Sequence, residues 1–175
     1  IKFRVLTAGS LIRVKGIGLA IKAFHKFNQR HGDSEFIIVG SGPEEPHLRS
    51  MVRKRGLENQ IHFVHAMPRH MLLAEMSGCD AFLFPSLRDG GGAVVIEAMA
   101  MGKPVVCLDT GGPAMHVNSE CGSKVPAESP AQAISALADA LENLYQDPGL
   151  KERKGKAAAQ RAKDLYHWDR LGERL

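Results

Sequence analysis

Residues 84–106 read FPSLRDGGGAVVIEAMAMGKPVV and constrain the fold of this chain more than any other stretch. An apolar strand ends at Pro85, and Asp89 then precedes three consecutive glycines and the helix-forming run AVVIEAMAM. Gly102 and Pro104 stop that helix in the usual way before another apolar strand begins. The stretch therefore predicts a strand, a glycine-rich loop and a helix N-terminus, in that order.

A glycine-rich loop that leads into a helix predicts an anion-binding site. Because Gly90, Gly91 and Gly92 lack Cβ atoms, a ligand can approach the backbone closely. The first N–H groups of the helix have no intrahelical partners and lie at the positive end of its dipole. Together these features attract a phosphate group.

Two carboxylates, Asp89 and Glu97, lie on either side of the glycines. If most of the intervening residues are helical, at about 1.5 Å per residue, the carboxylates are on the order of 10 Å apart. Retaining hydrolysis by a carboxylate pair needs roughly 5 Å, so the pair does not fit that chemistry. The spacing suits the two ends of an elongated, polyhydroxylated ligand with phosphates between them, such as a nucleotide-sugar.

The composition is that of an ordinary globular domain, with 44% hydrophobic and 24% charged residues and no run of eighteen apolar residues. Three cysteines without metal-ligand spacing predict buried thiols of a cytoplasmic protein: Cys79, Cys107 and Cys121. The formal charge of +4 suits an anionic small ligand or an acidic membrane surface and is too small to argue for nucleic acid. Because the chain begins in mid-strand without Met, we expect a fragment.

Apolar strands alternate with amphipathic helical stretches along the chain, which predicts an α/β fold with a single Rossmann-like, doubly wound parallel sheet over residues 1–175. We expect strands at residues 3–8, 36–39, 61–64, 81–84 and 105–108. We expect helices at residues 16–31, 44–55, 69–77, 93–101 and 130–145, and a basic helical segment from residue 148. Residues 111–122 are expected to form a loop, in which His116 is given no role.

The pattern PSLRDGGGAVVIEAMAMGKPVV resembles the signature of retaining nucleotide-sugar glycosyltransferases of the GT-B fold, in family four (glycosyl transferases group 1). That signature has two acidic residues separated by seven others around a glycine-containing loop, then EAMA, a small-residue turn and PVV. Asp89 stands here where Glu is usual, and Gly91 where an aromatic is usual. The resemblance extends from Gly9 to Trp168. It implies that the chain is one half of a GT-B fold, the C-terminal donor-binding domain, and that an N-terminal acceptor domain lies outside it.

The resemblance also implies a catalytic set of Asp89, Lys15 and Glu97. Lys15 is expected at the donor diphosphate, Asp89 and the loop N–H groups of Gly90 and Gly91 at the sugar hydroxyls, and Glu97 at the ribose. It places the amides of Gly92 and Ala93 at the phosphates. Two residues are candidates to replace a phosphate-binding Arg of the family: Ser10, which occupies its position, and Arg13. From the residues alone, the alternatives are a solvated Lys15 and an Asp89 that only caps the helix.

Further nucleotide contacts are expected from Gly40 and Gly42, after the second strand, and the resemblance places His65 and Met67, after the third strand, near the base. The alternative for the GSGP turn is a purely structural role. A dinucleotide fingerprint would need a third small residue, but position 45 is Glu45, and this disfavours an oxidoreductase.

Neither a metal nor a cofactor is expected, because the sequence contains no HExxH, DxD or Cys/His cluster. The resemblance implies a UDP-, GDP- or ADP-sugar as donor and, as acceptor, a saccharide or lipid-linked glycan of polysaccharide or cell-envelope biosynthesis. The expected location is the cytoplasm, at the inner face of the membrane if the basic residues 151–163 contact lipid; the alternative is a solvated helix face. Residues 166–169, YHWD, resemble the segment through which the family's last helix returns to the other domain.

Two other classes of function stay open from the sequence. One is a GT-B enzyme that is not a transferase, such as a nucleotide-sugar epimerase. The other is a nucleotide-binding domain without activity, for which Ser10 and Asp89 at their unusual positions are the hints. We expect the isolated chain to bind donor weakly and to transfer nothing.

Overall fold

The computed structural model of the chain describes residues 2–166. Its strands form one sheet in the order β3-β2-β1-β4-β5-β6, and every neighbouring pair is parallel. The strands are Phe3–Ala8 (β1), Ser34–Val39 (β2), Ile61–Val64 (β3), Ala81–Phe84 (β4), Val105–Leu108 (β5) and Gly122–Val125 (β6). This is the strand order of the Rossmann-type sheet, whose direction of growth reverses between β1 and β4. The predicted α/β fold with a doubly wound parallel sheet is confirmed.

Helices connect successive strands and cover both faces of the sheet. They are Ile17–Asn28 (α1), Glu45–Arg53 (α2), Arg69–Ser77 (α3), Ala93–Ala100 (α4), Gly111–His116 (α5), Pro130–Gln146 (α6) and Pro148–Tyr166 (α7). A short 3-10 turn, Arg13–Lys15, precedes α1. The ends differ from the predicted ones by a few residues, as expected where helices begin and fray.

The sheet separates two hydrophobic layers, and alternate residues of each strand enter opposite layers. In β2, Phe36 and Ile38 pack with α1, α2 and α6, whereas Ile37 and Val39 pack on the side of α3, α4 and α7. Burial on both faces explains why the strands are almost continuously apolar. One face of α1 is buried against the sheet, including Phe24 and Phe27.

The predicted loop at residues 111–122 is wrong, because it contains α5 and leads into β6. The sequence GGP favours a turn, but a Pro in the first turn of a helix displaces no intrahelical hydrogen bond. Among residues 2–166, β6 pairs only with β5, and its two central residues, Ser123 and Lys124, are polar and only partly buried or exposed, so it lacks the apolar run that marks the other strands. Trp168 and the rest of the predicted YHWD segment beyond Tyr166 lie outside the described residues.

The predicted burial of the three cysteines is confirmed, and the basic segment makes polar contacts with the rest of the domain. All three cysteines are buried free thiols, and desolvation raises the pKa of Cys79 and Cys107 to about 12. In the basic segment, Lys151 Nζ lies 2.6 Å from Asp80, and Lys154 Nζ donates to the carbonyls of Ser119 and Gly122. Two of these charges therefore act within the domain. Over residues 2–166, no helix has both the length and the apolar character to cross a bilayer.

Candidate functional site

The loops that follow β1, β2, β3 and β4 meet at the carboxyl edge of the sheet, next to the reversal of strand order between β1 and β4. Two adjoining cavities open there, of about 510 and 160 Å³, and both are lined by Ala8, Gly9, Ser10 and Leu72. We call them together the sheet-edge cleft. Open α/β sheets bind their ligands at this kind of position.

The cleft brings together most of the predicted site residues. The larger cavity is lined by Ser10, Lys15, Asp89, Gly91, Gly92, Ala93 and Glu97. The smaller cavity is lined by Gly40 and Met67, and Ser10 lies at its junction with the larger one. Residues from four separate loops, predicted from short motifs, therefore share one surface.

Asp89 links Lys15 to the glycine-rich loop. One carboxylate oxygen accepts a hydrogen bond from Lys15 Nζ, and the other accepts from the backbone N–H of Gly92 at 2.8 Å and of Gly91 at 3.2 Å. The two charged side chains are 22% and 14% exposed. Burial acts to raise the pKa of Asp89, but the hydrogen bonds from Lys15, Gly92 and Gly91 outweigh it and hold that pKa below its ordinary value. Lys15 is therefore an ion-paired cation of the cleft rather than a solvated lysine.

Because of these contacts, the N–H groups that are available to a ligand differ from those predicted from the sequence. The N–H groups of Gly91 and Gly92, expected to face the sugar and the phosphates, are engaged by the carboxylate of Asp89. The first intrahelical hydrogen bond of α4 is donated by Val95 to Gly92 O. Ala93 and Val94, whose N–H groups belong to the first turn and have no intrahelical partner, both line the larger cavity. Val94 did not stand out in the sequence, because its contribution is a backbone group.

Glu97 pairs with Arg69, the first residue of α3, at a distance of 2.6 Å between Nε and Oε1. Glu97 is 21% exposed and Arg69 is 72% exposed. A carboxylate on the apolar helix α4 requires a partner, and the structure identifies this partner. The sequence missed Arg69 because nothing in its local pattern connects it to a residue 28 positions away.

Four predicted residues do not line the cleft: Arg13, Gly42, His65 and Gly90, the last of which lies between two residues that do. The Arg13 side chain is 90% exposed, with its Nε 3.9 Å from Glu44, at a separate and largely apolar cavity of about 300 Å³ between α1, α2 and α6. Gly42 lines a further cavity beside α2, and a Cβ there would lie 2.5 Å from Leu11 O. His65 is exposed and lies outside the set that lines the two cavities of the cleft. For Gly42 the structure favours the purely structural alternative.

A histidine without a predicted role also contacts the site. His116, at the end of α5, has its Nε2 at 2.7 Å from Gly91 O and its Nδ1 at 2.5 Å from the hydroxyl of Tyr166. The same helix contacts the loop through its backbone, since Gly112 N donates to Asp89 O at 2.8 Å. The sequence could not reveal this contact, because α5 itself was not predicted. Within residues 2–166, no three His, Cys, Asp or Glu side chains cluster as metal ligands.

Comparisons with other proteins agree with this architecture. An alpha-D-kanosaminyltransferase from Streptomyces kanamyceticus is 29% identical over 98% of this chain. The crystal structure of Anabaena Alr3699/HepE in complex with UDP superposes with a TM-score of 0.87 at 23% identity, covering 99% of this chain and 47% of that one. The C-terminal domain of the Francisella tularensis group 1 glycosyl transferase LpcC superposes with a TM-score of 0.83 at 22% identity, covering 94% and 86%.

The chain spans less than half the length of two of these proteins. It spans 44% of the length of the kanosaminyltransferase, and its sheet corresponds to one half of a GT-B structure. The sequence profile of the family described as "Glycosyl transferases group 1" matches residues 2–161, which is nearly the whole chain. The chain therefore belongs to the glycosyl transferases group 1 family.

Proposed function

We propose that this chain binds the nucleotide-sugar donor of a retaining glycosyltransferase, in the sheet-edge cleft. The observation that carries the proposal is the placement of Lys15, the N-terminus of α4 and the two acidic residues Asp89 and Glu97 around one cavity of about 510 Å³. A lysine and a helix N-terminus suit the negative charge of a diphosphate, and carboxylates can accept hydrogen bonds from the hydroxyls of a sugar. The UDP in the Anabaena relative's structure supports a nucleoside diphosphate as the ligand class.

In this proposal the diphosphate lies between Lys15 and the first-turn N–H groups of Ala93 and Val94. Lys15 is flexible enough to turn one ammonium donor to a phosphate while it keeps another on Asp89, because an ammonium carries three donors. The helix dipole adds a fixed positive potential at the same place. These groups also stabilise the charge that develops on the departing nucleoside diphosphate.

The remaining parts of the donor are assigned to the rest of the cleft. Glu97, held by Arg69, offers its carboxylate to the ribose hydroxyls. The base occupies the smaller cavity, beside Gly40 and Met67. Asp89 lies beside the sugar, and its pairing with Lys15 keeps it ionised as an acceptor for sugar hydroxyls.

The acceptor side of the reaction is assigned to parts of the protein outside this chain. We infer a saccharide or lipid-linked glycan as acceptor, in polysaccharide or cell-envelope biosynthesis in the cytoplasm. This chain alone is expected to show no transfer, and turnover by it would contradict that division of roles. Release of an epimer or free sugar by the whole protein without acceptor would instead favour the epimerase alternative.

The donor proposal is tested by titrating the chain with UDP, GDP and ADP and following binding by calorimetry. We expect one nucleotide to bind, and Lys15→Ala and Glu97→Ala each to weaken its binding about tenfold, since each removes a charge-assisted contact. Lys54→Ala and Glu58→Ala remove the same charges from exposed positions near the end of α2 and are expected to bind as wild type. Absence of binding at millimolar nucleotide, or site variants that bind as wild type, would overturn the proposal.

A further inference from the structure

We propose that His116 is a positioning residue for the donor: it fixes the peptide between Gly91 and Gly92 and connects that peptide to the end of α7. The inference rests on the proposed function, because the loop in question borders the proposed diphosphate site. His116 does not line the cleft itself, so its effect is exerted through the backbone of the loop.

The Gly91–Gly92 peptide is held from two opposite sides. Its carbonyl oxygen, on Gly91, lies 2.7 Å from Nε2 of His116, and its N–H, on Gly92, donates to Asp89 at 2.8 Å. In a trans peptide these two groups point in opposite directions, and no cis peptide occurs among the described residues. Asp89 and His116 therefore hold opposite edges of one peptide group and together oppose its rotation.

The glycines of the loop have no side chains that could fix its conformation by packing. An added Cβ at Gly90 or Gly91 would meet no heavy atom of the described residues within 4 Å, so neither position is packed. At Gly92 a Cβ would lie 3.1 Å from the ring of His116, so the imidazole covers the loop where it enters α4. The loop is positioned by hydrogen bonds and by this ring rather than by a hydrophobic core.

Rotation of the peptide would damage the proposed diphosphate site. A flipped Gly91 carbonyl would direct its negative end toward Asp89 and Lys15, where the donor's phosphates are proposed to lie. It would also lose both existing hydrogen bonds, one of them to a carboxylate. By retaining the carbonyl on the far side, His116 keeps the electrostatic potential at the start of α4 positive.

The orientation of His116 is itself set by α7. Because a carbonyl only accepts, Nε2 carries a proton, and in the neutral imidazole Nδ1 accepts from the hydroxyl of Tyr166 at 2.5 Å. The Tyr166 ring meets the imidazole edge-on at 5.2 Å, and Arg161 Nε donates to the carbonyl of His116 at 2.6 Å. Tyr166 and Arg161, in the last turns of α7, therefore orient His116, which in turn contacts the loop before α4.

Four variants of the chain test this inference. His116→Ala removes the donor to Gly91, whereas His116→Gln retains an amide N–H near the position of Nε2. Tyr166→Phe removes only the hydroxyl that orients the ring. His62→Ala is the matched control, because His62 is an exposed histidine on the edge strand β3 at the other end of the sheet. The probe is whichever of UDP, GDP and ADP the wild type binds, and hydrogen exchange of the Gly91 and Gly92 amides is measured without nucleotide.

We expect His116→Ala to raise the Kd about fivefold and to accelerate exchange at Gly91 and Gly92, as for the loss of one hydrogen bond. His116→Gln is expected to recover most of both losses, Tyr166→Phe to change both by about twofold, and His62→Ala to match wild type. Unchanged affinity and exchange in His116→Ala, or losses that Gln does not rescue, would overturn the inference. If wild type binds none of the nucleotides, the proposed function fails, whereas the exchange rates still decide whether His116 holds the loop.

Discussion

The turn after β2 and the loop before α4 are both rich in glycine and lie at the same edge of the sheet, but their glycines meet different surroundings. At Gly40 the backbone has φ +149°, and a Cβ would lie 1.9 Å from Gly9 O. At Gly42 a Cβ would lie 2.5 Å from Leu11 O. At Gly90 and Gly91, φ is not positive and an added Cβ would find open space among residues 2–166.

This difference separates glycines that the fold requires from glycines that it does not. In the turn after β2 two backbone segments approach too closely for any side chain, which packing alone explains. In the loop before α4, neither packing nor backbone conformation demands Gly90 or Gly91. For Gly91, which lines the cleft, the proposed function supplies a reason: a ligand can approach the backbone closely there.

The largest expected effect is that of Gly40→Ala on stability. The new Cβ must displace the backbone of Gly9, and alanine is strained at that φ, so we expect the free energy of unfolding to fall by about 3 kcal/mol or more. Urea denaturation measures the loss. Gly32→Ala is the control, because it introduces the same methyl at an open position without positive φ. If the free energy of unfolding fell by less than about 1 kcal/mol, the turn after β2 would accommodate a side chain, and its glycines would not differ from those of the loop before α4.

The second prediction concerns Asp89, whose charge holds the loop in place of packing. Because its folded pKa lies below the ordinary value, ionised Asp89 contributes stability that is complete above the unfolded pKa and is lost as the pH falls through the folded pKa. We therefore expect Asp89→Asn to cost about 1 kcal/mol at neutral pH and progressively less as the pH drops through that acidic window. Urea denaturation at several pH values measures this. A cost independent of pH would mean that shape rather than charge holds the loop.

The sequence predicted the sheet well because the relevant forces are local and repetitive. Strands β1, β3, β4 and β5 were predicted with their observed bounds, since each is an apolar run between turn residues. β6 and α5 were missed because Gly122 pairs at the edge of the sheet and the GGP sequence at residue 111 favours a turn. In both cases tertiary contacts with β5 and with the loop before α4 outweigh the local preference.

The sequence predicted the residues of the candidate site that belong to motifs and missed those that do not. Lys15, Asp89 and Glu97 belong to recognisable patterns, and the structure places all three around one cavity. Arg69 and His116 are missing from the prediction because their partners lie 28 and 25 positions away, and such pairings depend on the folded arrangement of helices. Arg13 was favoured by its charge, but the turn before α1 directs it toward Glu44.

The smallest expected change in stability is that of Gly91→Ala, and it is expected to have the opposite sign. A methyl group at Gly91 meets open space, and alanine restricts the unfolded chain, so the free energy of unfolding should stay within about 0.5 kcal/mol of wild type or rise by up to about 1 kcal/mol. The same methyl projects where a ligand would approach the loop, so nucleotide affinity should fall although the fold is intact. Denaturation and calorimetric titration of one sample give both quantities, with Gly32→Ala again as control. A variant that loses stability as Gly40→Ala does would show that Gly91 is a packing glycine, whereas unchanged affinity would place the ligand elsewhere in the cleft.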